Sequence, residues 1–427
     1  MPALGFINTY PMQYSFVADH FQYLAAASLM SLFAAGWIRF VGSRTWAIVA
    51  AGVLLLLFAV LTWWQSGMYR DGETLWRHTL ERNPSAWMAH VNLGKELSAR
   101  GAGEEAIEHY REALRLWPAD AGAHNNLGIE LMNRGDLDGA VQHFEKASTL
   151  WSNYPEAFYH LGVAHQRRGD WGAAERAFRS AVLSRPAYPA AHNALGITLG
   201  QQERLDEAAD AFRETLKYAP DYPDAHINLC RVLRMKGRLA EAEEHGMQAL
   251  RVDPDSAEAH YQVALLRMEG KRMEDARSHL ESAVRLNPAF AFAHYQLALV
   301  LYQAGDARGA VRAARKAREL APENPAVLNA LAWMLATHPD EDLRSSDEAL
   351  DAAREACRLT EFKHPIYLDT LAAAYARAGD FARAIGTAER AIEAATVAGW
   401  TAQADEVRHR LSLYKAGKPF VDESAGR

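Results

Sequence analysis

Amide side chains recur along the chain at an interval of about 34 residues, in two adjacent series. The first series contains Asn92, Asn126, Asn228, Gln262 and Gln296, and the second contains Asn125, Tyr159, Asn193, Tyr261, Tyr295 and Asn329. An amide both donates and accepts hydrogen bonds, so a row of amides can bind an extended peptide backbone whatever its side chains. We therefore predict a peptide-binding site at Asn92, Asn125, Asn126, Tyr159, Asn193, Asn228, Gln262 and Gln296. His160 and Ala194 interrupt the row, and the same amides could instead only solvate a surface.

Histidines recur at the same interval, at His90, His124, His192, His226, His260 and His294. Positions one repeat apart in a helical stack are separated by about 10 Å or more. A zinc ion binds histidine nitrogens at about 2.1 Å, so this series cannot share a metal ion. We predict that these rings are packed, with a ring nitrogen hydrogen-bonded, and we predict neither a metal nor another cofactor.

Other chemical signatures are absent from the sequence. It has no phosphate-binding Gly-Lys-Ser/Thr loop and no His-Glu-x-x-His motif, and we predict no catalytic residue. The acidic run Asp340-Glu341-Asp342 is predicted to be a solvated loop, and Cys230 and Cys357 are predicted to be small packed residues. A net charge of −7 argues against a nucleic-acid partner.

The amides and histidines lie on a repeat that runs from Trp87 to Asn324. Each copy contains Leu-Gly, then alanine, an aromatic or large residue, alanine, and proline; in the first copy they are Leu93, Gly94, Ala106, Tyr110, Ala113 and Pro118. Apolar residues at helical spacing predict two antiparallel helices per copy. A glycine such as Gly135 is predicted to end the first helix, and an aspartate is predicted to cap the second; these aspartates are Asp136, Asp170, Asp306 and Asp380.

This pattern resembles the tetratricopeptide repeat. The resemblance implies an all-α helix-turn-helix solenoid, a right-handed superhelix, whose first helices line a concave groove. We assign residues 70–398 to a half repeat, in which Trp76 takes the aromatic position, followed by about nine units. Residues 399–427 are predicted to form a capping helix, about Thr401 to Tyr414, and a frayed polar tail.

Residues 1–69 are predicted to be a membrane segment. Two apolar stretches, Tyr23 to Val41 and Trp46 to Trp64, are each near the length that crosses a bilayer. Both are too long for a signal peptide, so we predict a transmembrane helical hairpin that contacts lipid through residues 23–64. Arg39 and Arg44 place the short connection in the cytoplasm, although the three arginines on the repeat side oppose this orientation; they are Arg70, Arg77 and Arg82.

A second resemblance rests on the segment Tyr14 to Leu24 and on the late repeat motif Leu371 to Tyr375. Together they resemble the C-terminal half of bacterial membrane proteins with a glycosyltransferase-C-like domain and tetratricopeptide repeats. Those proteins are similar to the transmembrane-and-tetratricopeptide O-mannosyltransferases. The resemblance implies a bacterial inner-membrane, multi-pass protein with extracytoplasmic repeats. The family's catalytic acidic residues lie in an early loop, to which nothing here corresponds, so no catalytic residue is carried over.

The sequence therefore predicts a membrane-anchored scaffold that binds a protein or peptide in its concave groove. The alternative is the substrate-binding half of a membrane protein O-glycosyltransferase that lacks the catalytic membrane core. A third possibility is a purely structural assembly scaffold. Enzymatic activity by the chain itself is left open.

Overall fold

The computed structural model describes residues 71–422 and a few helical positions before them, which are Gly36, Val49, Gly52, Val53, Leu56, Leu57, Ala59, Val60 and Trp63. In residues 71–422 the regular elements are twenty α-helices and a short 3-10 helix, and no strand is present. The chain divides into two compact units, residues 1–202 and residues 203–427. Each unit is a stack of antiparallel helix pairs, and the two are described separately.

Unit 1 contains a single helix, three helix pairs and the first helix of a fourth pair. Their bounds are α1 Gly72–Arg82, α2 Trp87–Ala99, α3 Gly103–Leu116, α4 Ala121–Asn133, α5 Leu137–Leu150, α6 Pro155–Arg167, α7 Trp171–Ser184 and α8 Pro189–Gln201. The helix α1 corresponds to the predicted half repeat, and its Trp76 packs against the core of unit 1 together with Leu80 and Trp87.

Unit 2 begins with a second helix, continues with five pairs and ends with a single helix. The bounds are α9 Leu205–Tyr218, α10 Pro223–Met235, α11 Leu239–Val252, α12 Ala257–Glu269, α13 Met273–Leu286, α14 Ala291–Gln303, α15 Ala307–Leu320, α16 Pro325–Thr337, α17 Ser346–Leu359, α18 Pro365–Arg377, α19 Phe381–Val397 and α20 Thr401–Lys415. The insertion between α16 and α17 holds the 3-10 helix Glu341–Leu343, and Asp340, Glu341 and Asp342 are exposed there.

The turn inside each pair forms as the sequence predicts. Gly135 follows the first helix with a φ of +84°, in the left-handed region that favours glycine. Asp136 then caps α5, because its carboxylate accepts a hydrogen bond from the backbone N–H of Gly139 at 2.9 Å. The other predicted caps are confirmed in the same way at Asp170, Asp306 and Asp380.

The Leu-Gly motif allows the two helices of a pair to approach closely. A β-carbon at Gly128 would lie 2.6 Å from the ring of Phe144, and one at Gly162 would lie 2.6 Å from Phe178. Phe144 and Phe178 are fully buried. The aromatic ring of the second helix therefore packs directly against the glycine of the first helix.

Within each unit the first helices of successive pairs contact one another. In unit 1 α2 contacts α4, α4 contacts α6, and α6 contacts α8; in unit 2 α14, α16 and α18 are joined in this way, and α18 also contacts α20. Between residues 71 and 422 no comparable contact joins successive second helices. The first helices therefore form the inner layer of each unit, and we use that name for α2, α4, α6 and α8 and for α10, α12, α14, α16 and α18.

The two predicted membrane spans lie outside the described residues, apart from the single positions named above. Of the helices and positions that are described, none is both long and apolar enough to cross a bilayer.

The C-terminal end differs from the expectation in one respect. The predicted last helix is present as α20, but the described residues after it, 416–422, are held against the protein. Phe420 packs against the core of unit 2, and the backbone N–H of Asp422 donates to the carbonyl of Thr337 at 2.8 Å. The polar composition of the tail did not predict this packing, because a few contacts from one aromatic and one acidic residue are enough to hold the segment.

Candidate functional site

The predicted peptide-binding residues all lie on the inner layer, but they differ in exposure. Four are buried, namely Asn125, Asn193, Asn228 and Gln262; four are half-buried, namely Asn92, Asn126, Tyr159 and Gln296. The two units therefore do not present a row of amides that is open to solvent along its whole length. Peptide binding by these residues stays a prediction.

Several of the buried amides are engaged within the protein. The Oδ1 of Asn125 lies 2.9 Å from Nδ1 of His160, one helix pair further along. Arg231 donates to Oδ1 of Asn228. Asn125 and Asn228 are therefore hydrogen-bonded to side chains of the protein itself.

Three amide atoms of the inner layer are buried and have no hydrogen-bond partner. They are Nδ2 of Asn126 in unit 1 and, in unit 2, Oε1 of Gln262 and Oδ1 of Asn329. The other end of the Gln262 amide is held, because its Nε2 donates to Glu258 at 2.8 Å. A buried polar atom without a partner costs about 1–3 kcal/mol, and any group that reached it would recover this free energy.

Tyr159 packs against other rings. Its ring centroid lies 5.4 Å from that of Tyr188 and 5.9 Å from that of Phe178. Burial raises the pKa of Tyr159 above its ordinary value. Tyr159 therefore supports the packing between α6 and its neighbours, and it presents only part of its ring to the surface.

The recurrent histidines are packed as predicted, and each is hydrogen-bonded through Nε2. In every case the partner is the carbonyl of the proline six residues earlier, at 2.9–3.2 Å; the rings are His90, His124, His192, His226, His260 and His294. A carbonyl only accepts, so Nε2 of each ring must carry a proton.

Four of these rings have a second histidine as a partner, which the sequence analysis missed. The four histidine pairs are His90–His109, His124–His143, His226–His245 and His260–His279, with the Nδ1 atoms 2.9–3.1 Å apart. The signal was present, because the second histidine always follows the first by 19 residues. That offset joins the first helix of a repeat to the second.

The geometry of the histidine pairs is that of a hydrogen bond. Their ring centroids lie 5.1–5.3 Å apart. This distance is about the Nδ1–Nδ1 distance plus one ring radius on each side, so the two Nδ1 atoms lie close to the line that joins the centroids. A metal ion held by both rings needs nitrogens that converge on a third point instead. Among the residues described, no group of three or more ligating side chains could hold a metal ion.

The two cysteines are free thiols and are packed as predicted. Cys230 and Cys357 are both fully buried, on α10 and α17. Burial raises the pKa of each thiol to about 12, which disfavours the reactive thiolate.

A second group of polar contacts lies at the C-terminal end of unit 2. Asp369 of α18 and Arg410 of α20 form a buried ion pair, with an Nη2–Oδ2 distance of 2.7 Å. The guanidinium of Arg410 also lies over the rings of Trp333 and Phe420, at 5.4 Å and 5.3 Å from their centroids. Spacing within one repeat could not indicate this cluster, because it joins three helices and the tail.

Comparison with known families identifies the repeat. Models described as "Tetratricopeptide repeat" match residues 159–214, 201–268, 248–289 and 295–364, and a model described as "TPR repeat" matches residues 94–129 and 130–169. Together with the helix pairs described above, these matches show that the chain belongs to the tetratricopeptide repeat proteins.

Two curated relatives carry the same printed description, Protein O-mannosyl-transferase TMTC1. The protein of Homo sapiens is 33% identical over 111 residues, which is 25% of this chain and 12% of the relative. The protein of Mus musculus is 38% identical over 69 residues, which is 16% of this chain and 7% of the relative. The similarity is therefore partial on both sides and spans a small fraction of each relative.

Solved structures of similar fold include YrrB, described as a TPR protein with an unusual peptide-binding site. It is 24% identical with a TM-score of 0.38, covering 43% of this chain and 95% of that one. MamA from Desulfovibrio magneticus RS-1 is 24% identical with a TM-score of 0.37, covering 44% and 97%. PilF of Pseudomonas aeruginosa is 19% identical with a TM-score of 0.44, covering 49% and 94%.

Proposed function

We propose that this protein is a membrane-anchored tetratricopeptide scaffold that binds a polypeptide along the inner layer of its repeats. The observation that carries the proposal is the set of buried amide atoms without partners. Asn126 offers a donor in unit 1, while Gln262 and Asn329 offer acceptors in unit 2. A peptide backbone supplies both of the complementary groups at every residue.

The positions of these atoms agree with backbone recognition. Asn126 and Gln262 occupy the same position of the repeat in different copies, so each has the same place on the first helix of its own pair. Satisfying a buried amide by a bound backbone returns the free energy lost on burial, which is about 1–3 kcal/mol for each atom. Of the eight predicted residues, Asn126 and Gln262 carry this argument, together with Asn329.

The amide proposal predicts different effects on stability and on binding. In Asn126→Leu an unpaired polar atom is removed, so we expect the free energy of unfolding to stay level or rise by about 1 kcal/mol. In Gln262→Leu the hydrogen bond to Glu258 is lost as well, so we expect the free energy of unfolding to stay level or fall by about 1 kcal/mol. We expect peptides selected from a random displayed library against the full chain to bind each variant about tenfold more weakly. Asn133→Leu, at an exposed position at the end of α4, is the control. Unchanged peptide affinity in both variants would contradict this role.

Side chains in the N-terminal segment support the membrane anchor. Val53, Leu56 and Trp63 are 62%, 69% and 79% exposed, although all three are large and apolar. Large apolar side chains that are exposed at several positions of one segment favour contact with lipid or with another protein. Together with Arg39 and Arg44 between the predicted spans, this supports a bacterial inner-membrane location with extracytoplasmic repeats.

The second candidate is the substrate-binding half of a membrane protein O-glycosyltransferase. The partial identity with the O-mannosyl-transferase of Homo sapiens favours it. In this case the bound polypeptide is the acceptor of a sugar, and another membrane protein supplies the catalytic groups. Purification of the chain from native membranes discriminates the two candidates. A co-purifying multi-pass protein that transfers hexose to a bound peptide supports the transferase, and its absence leaves the scaffold.

A further inference from the structure

The chain's own C-terminal segment lies against helices of the inner layer of unit 2 and has no regular secondary structure. It follows α20 and a turn at Ala416 and Gly417, and the backbone N–H of Asp422 donates to the carbonyl of Thr337 at the end of α16. The carbonyl of Phe420 accepts from Nη2 of Arg377 on α18 at 3.2 Å. Both contacts are made with the peptide backbone of the segment, so they do not depend on its sequence.

Two side chains of the segment enter defined surroundings. The ring of Phe420 lies 5.8 Å from that of Trp333 and lies against the guanidinium of Arg410. The carboxylate of Asp422 accepts hydrogen bonds from the Tyr302 hydroxyl and from Nε1 of Trp333, both at 3.4 Å. Phe420 and Asp422 are two residues apart and both reach the helices, which is the arrangement that an extended chain gives.

The receiving surface is held in place by contacts that do not involve the segment. Arg410 is 7% exposed and is fixed by the carboxylate of Asp369, which is 2% exposed. Arg377 donates through Nε to the carbonyl of Ala336 at 2.7 Å. The two basic groups are therefore held by contacts outside the segment, and such pre-organisation reduces the entropy lost on binding.

We propose that this surface is a second binding site, for an extended polypeptide segment that carries an aromatic residue two positions before a carboxylate. The tail site consists of Tyr302, Trp333, Thr337, Arg377 and Arg410, and in this structure the segment Lys418–Asp422 occupies it. A partner protein with the same spacing displaces the segment. The proposal does not rest on the amide row, because none of its residues belongs to that row.

The occupying segment is suited to exchange. Its contacts come from two side chains and two backbone groups, and Pro419, Phe420, Val421 and Asp422 are only half-buried. Its advantage is attachment, since a short tether keeps it at an effective concentration of roughly millimolar. A free peptide must therefore bind more weakly to the intact chain than to a chain whose segment has lost its two side-chain anchors.

The test uses the full-length chain and a fluorescent peptide with the sequence of residues 418–423, titrated to about 1 mM. In the variant Phe420→Ala/Asp422→Ala the tail is retained but its anchors are removed, and we expect saturable peptide binding. We expect binding to the unchanged chain to be at least about tenfold weaker. Circular dichroism and thermal unfolding verify that the variant is folded; the single variant Phe420→Ala replaces it if the double variant is not.

A second measurement separates recognition from a merely structural tail. In the anchor-free chain, Tyr302→Phe should weaken the peptide about three- to tenfold, but it should not change the binding of a peptide with alanine in place of the aspartate. Tyr295→Phe, on the same helix, is the matched control. The proposal is overturned if the peptide fails to bind a folded anchor-free chain, if it binds both chains equally, or if Tyr302→Phe weakens both peptides alike.

Discussion

In each histidine pair, a single N–H···N hydrogen bond joins the two rings. Nε2 of the first ring donates to a proline carbonyl, so its Nδ1 accepts, and Nδ1 of the second ring must be the donor. The second ring can take up one further proton at Nε2, because its Nδ1–H then still donates to the first ring. In the pair His124–His143, a second proton would bring two N–H groups and two positive charges face to face, which disfavours the doubly charged form.

The histidine pairs make the stability of the repeats depend on pH. Burial lowers the pKa of His143 below the ordinary value of 6.5, and so do its neighbours His124 and Arg111, whereas Asp136 opposes the shift. The folded state therefore binds fewer protons than the unfolded state below about pH 6.5, so the free energy of unfolding falls as the pH is lowered through and below that value. Well above pH 6.5, His143 is neutral in both the folded and the unfolded state, so it adds no pH dependence to the free energy of unfolding. Burial likewise lowers the pKa of the second ring in the other pairs, His109, His245 and His279.

We expect urea unfolding at about pH 5.5 to show lower stability than at about pH 7.5, and this difference to shrink in His143→Ala. Alanine is the residue at this position in the repeat of His294, whose counterpart is Ala313, so the substitution fits the fold. His409→Ala, at an exposed position on α20, is the control. An equal pH dependence in the unchanged chain and in His143→Ala would show that the pair is not responsible.

At the scale of the helix pair, the structure depends on a glycine in the first helix and an aromatic ring in the second. The ring fills the space that a side chain on the first helix would occupy, as Phe144 does at Gly128. Neighbouring helices of the stack bury the contact between the glycine and the ring on both sides. A larger residue at the glycine position therefore cannot be accommodated by moving the ring outward. Packing at this point, and not helix propensity, decides which residue is accepted.

We expect Gly128→Ala to destabilise unit 1. Overpacking costs about 1–3 kcal/mol, and the better helix propensity of alanine offsets up to about 1 kcal/mol of that loss. Replacing Phe144 by leucine in the same chain should remove the clash and recover part of the loss. Gly200→Ala on α8 is the matched control, since a β-carbon there meets nothing within 4 Å. The packing argument fails if the two alanine variants melt alike.

At the scale of the whole molecule, the proposed anchor places the repeats outside the cytosol. Single cysteines report this directly, because the native Cys230 and Cys357 are buried and have a raised pKa, so they react slowly. We expect a membrane-impermeant maleimide to label Ser85→Cys in cells with a permeabilised outer membrane. Ser43→Cys, between the predicted spans, should be labelled only after lysis. The reverse pattern would place the repeats in the cytoplasm.

The sequence by itself determined the features that depend on near neighbours along the chain. Gly135 and Asp136 specify a turn and a cap within a few residues, and the repeated interval then specifies a stack of helix pairs. The same recurrence predicted a half repeat followed by about nine units in residues 70–398. Recurrence also placed the predicted amides on the inner layer.

Only the tertiary structure decided how those side chains are used. Asn125 is engaged by a histidine of the next pair, while the amide of Asn126 beside it keeps an unpaired atom. The contact between the tail and Trp333 joins residues far apart in sequence. Spacing specifies the face of a helix on which a residue lies, but burial and pairing depend on the side chains that other helices bring to that face.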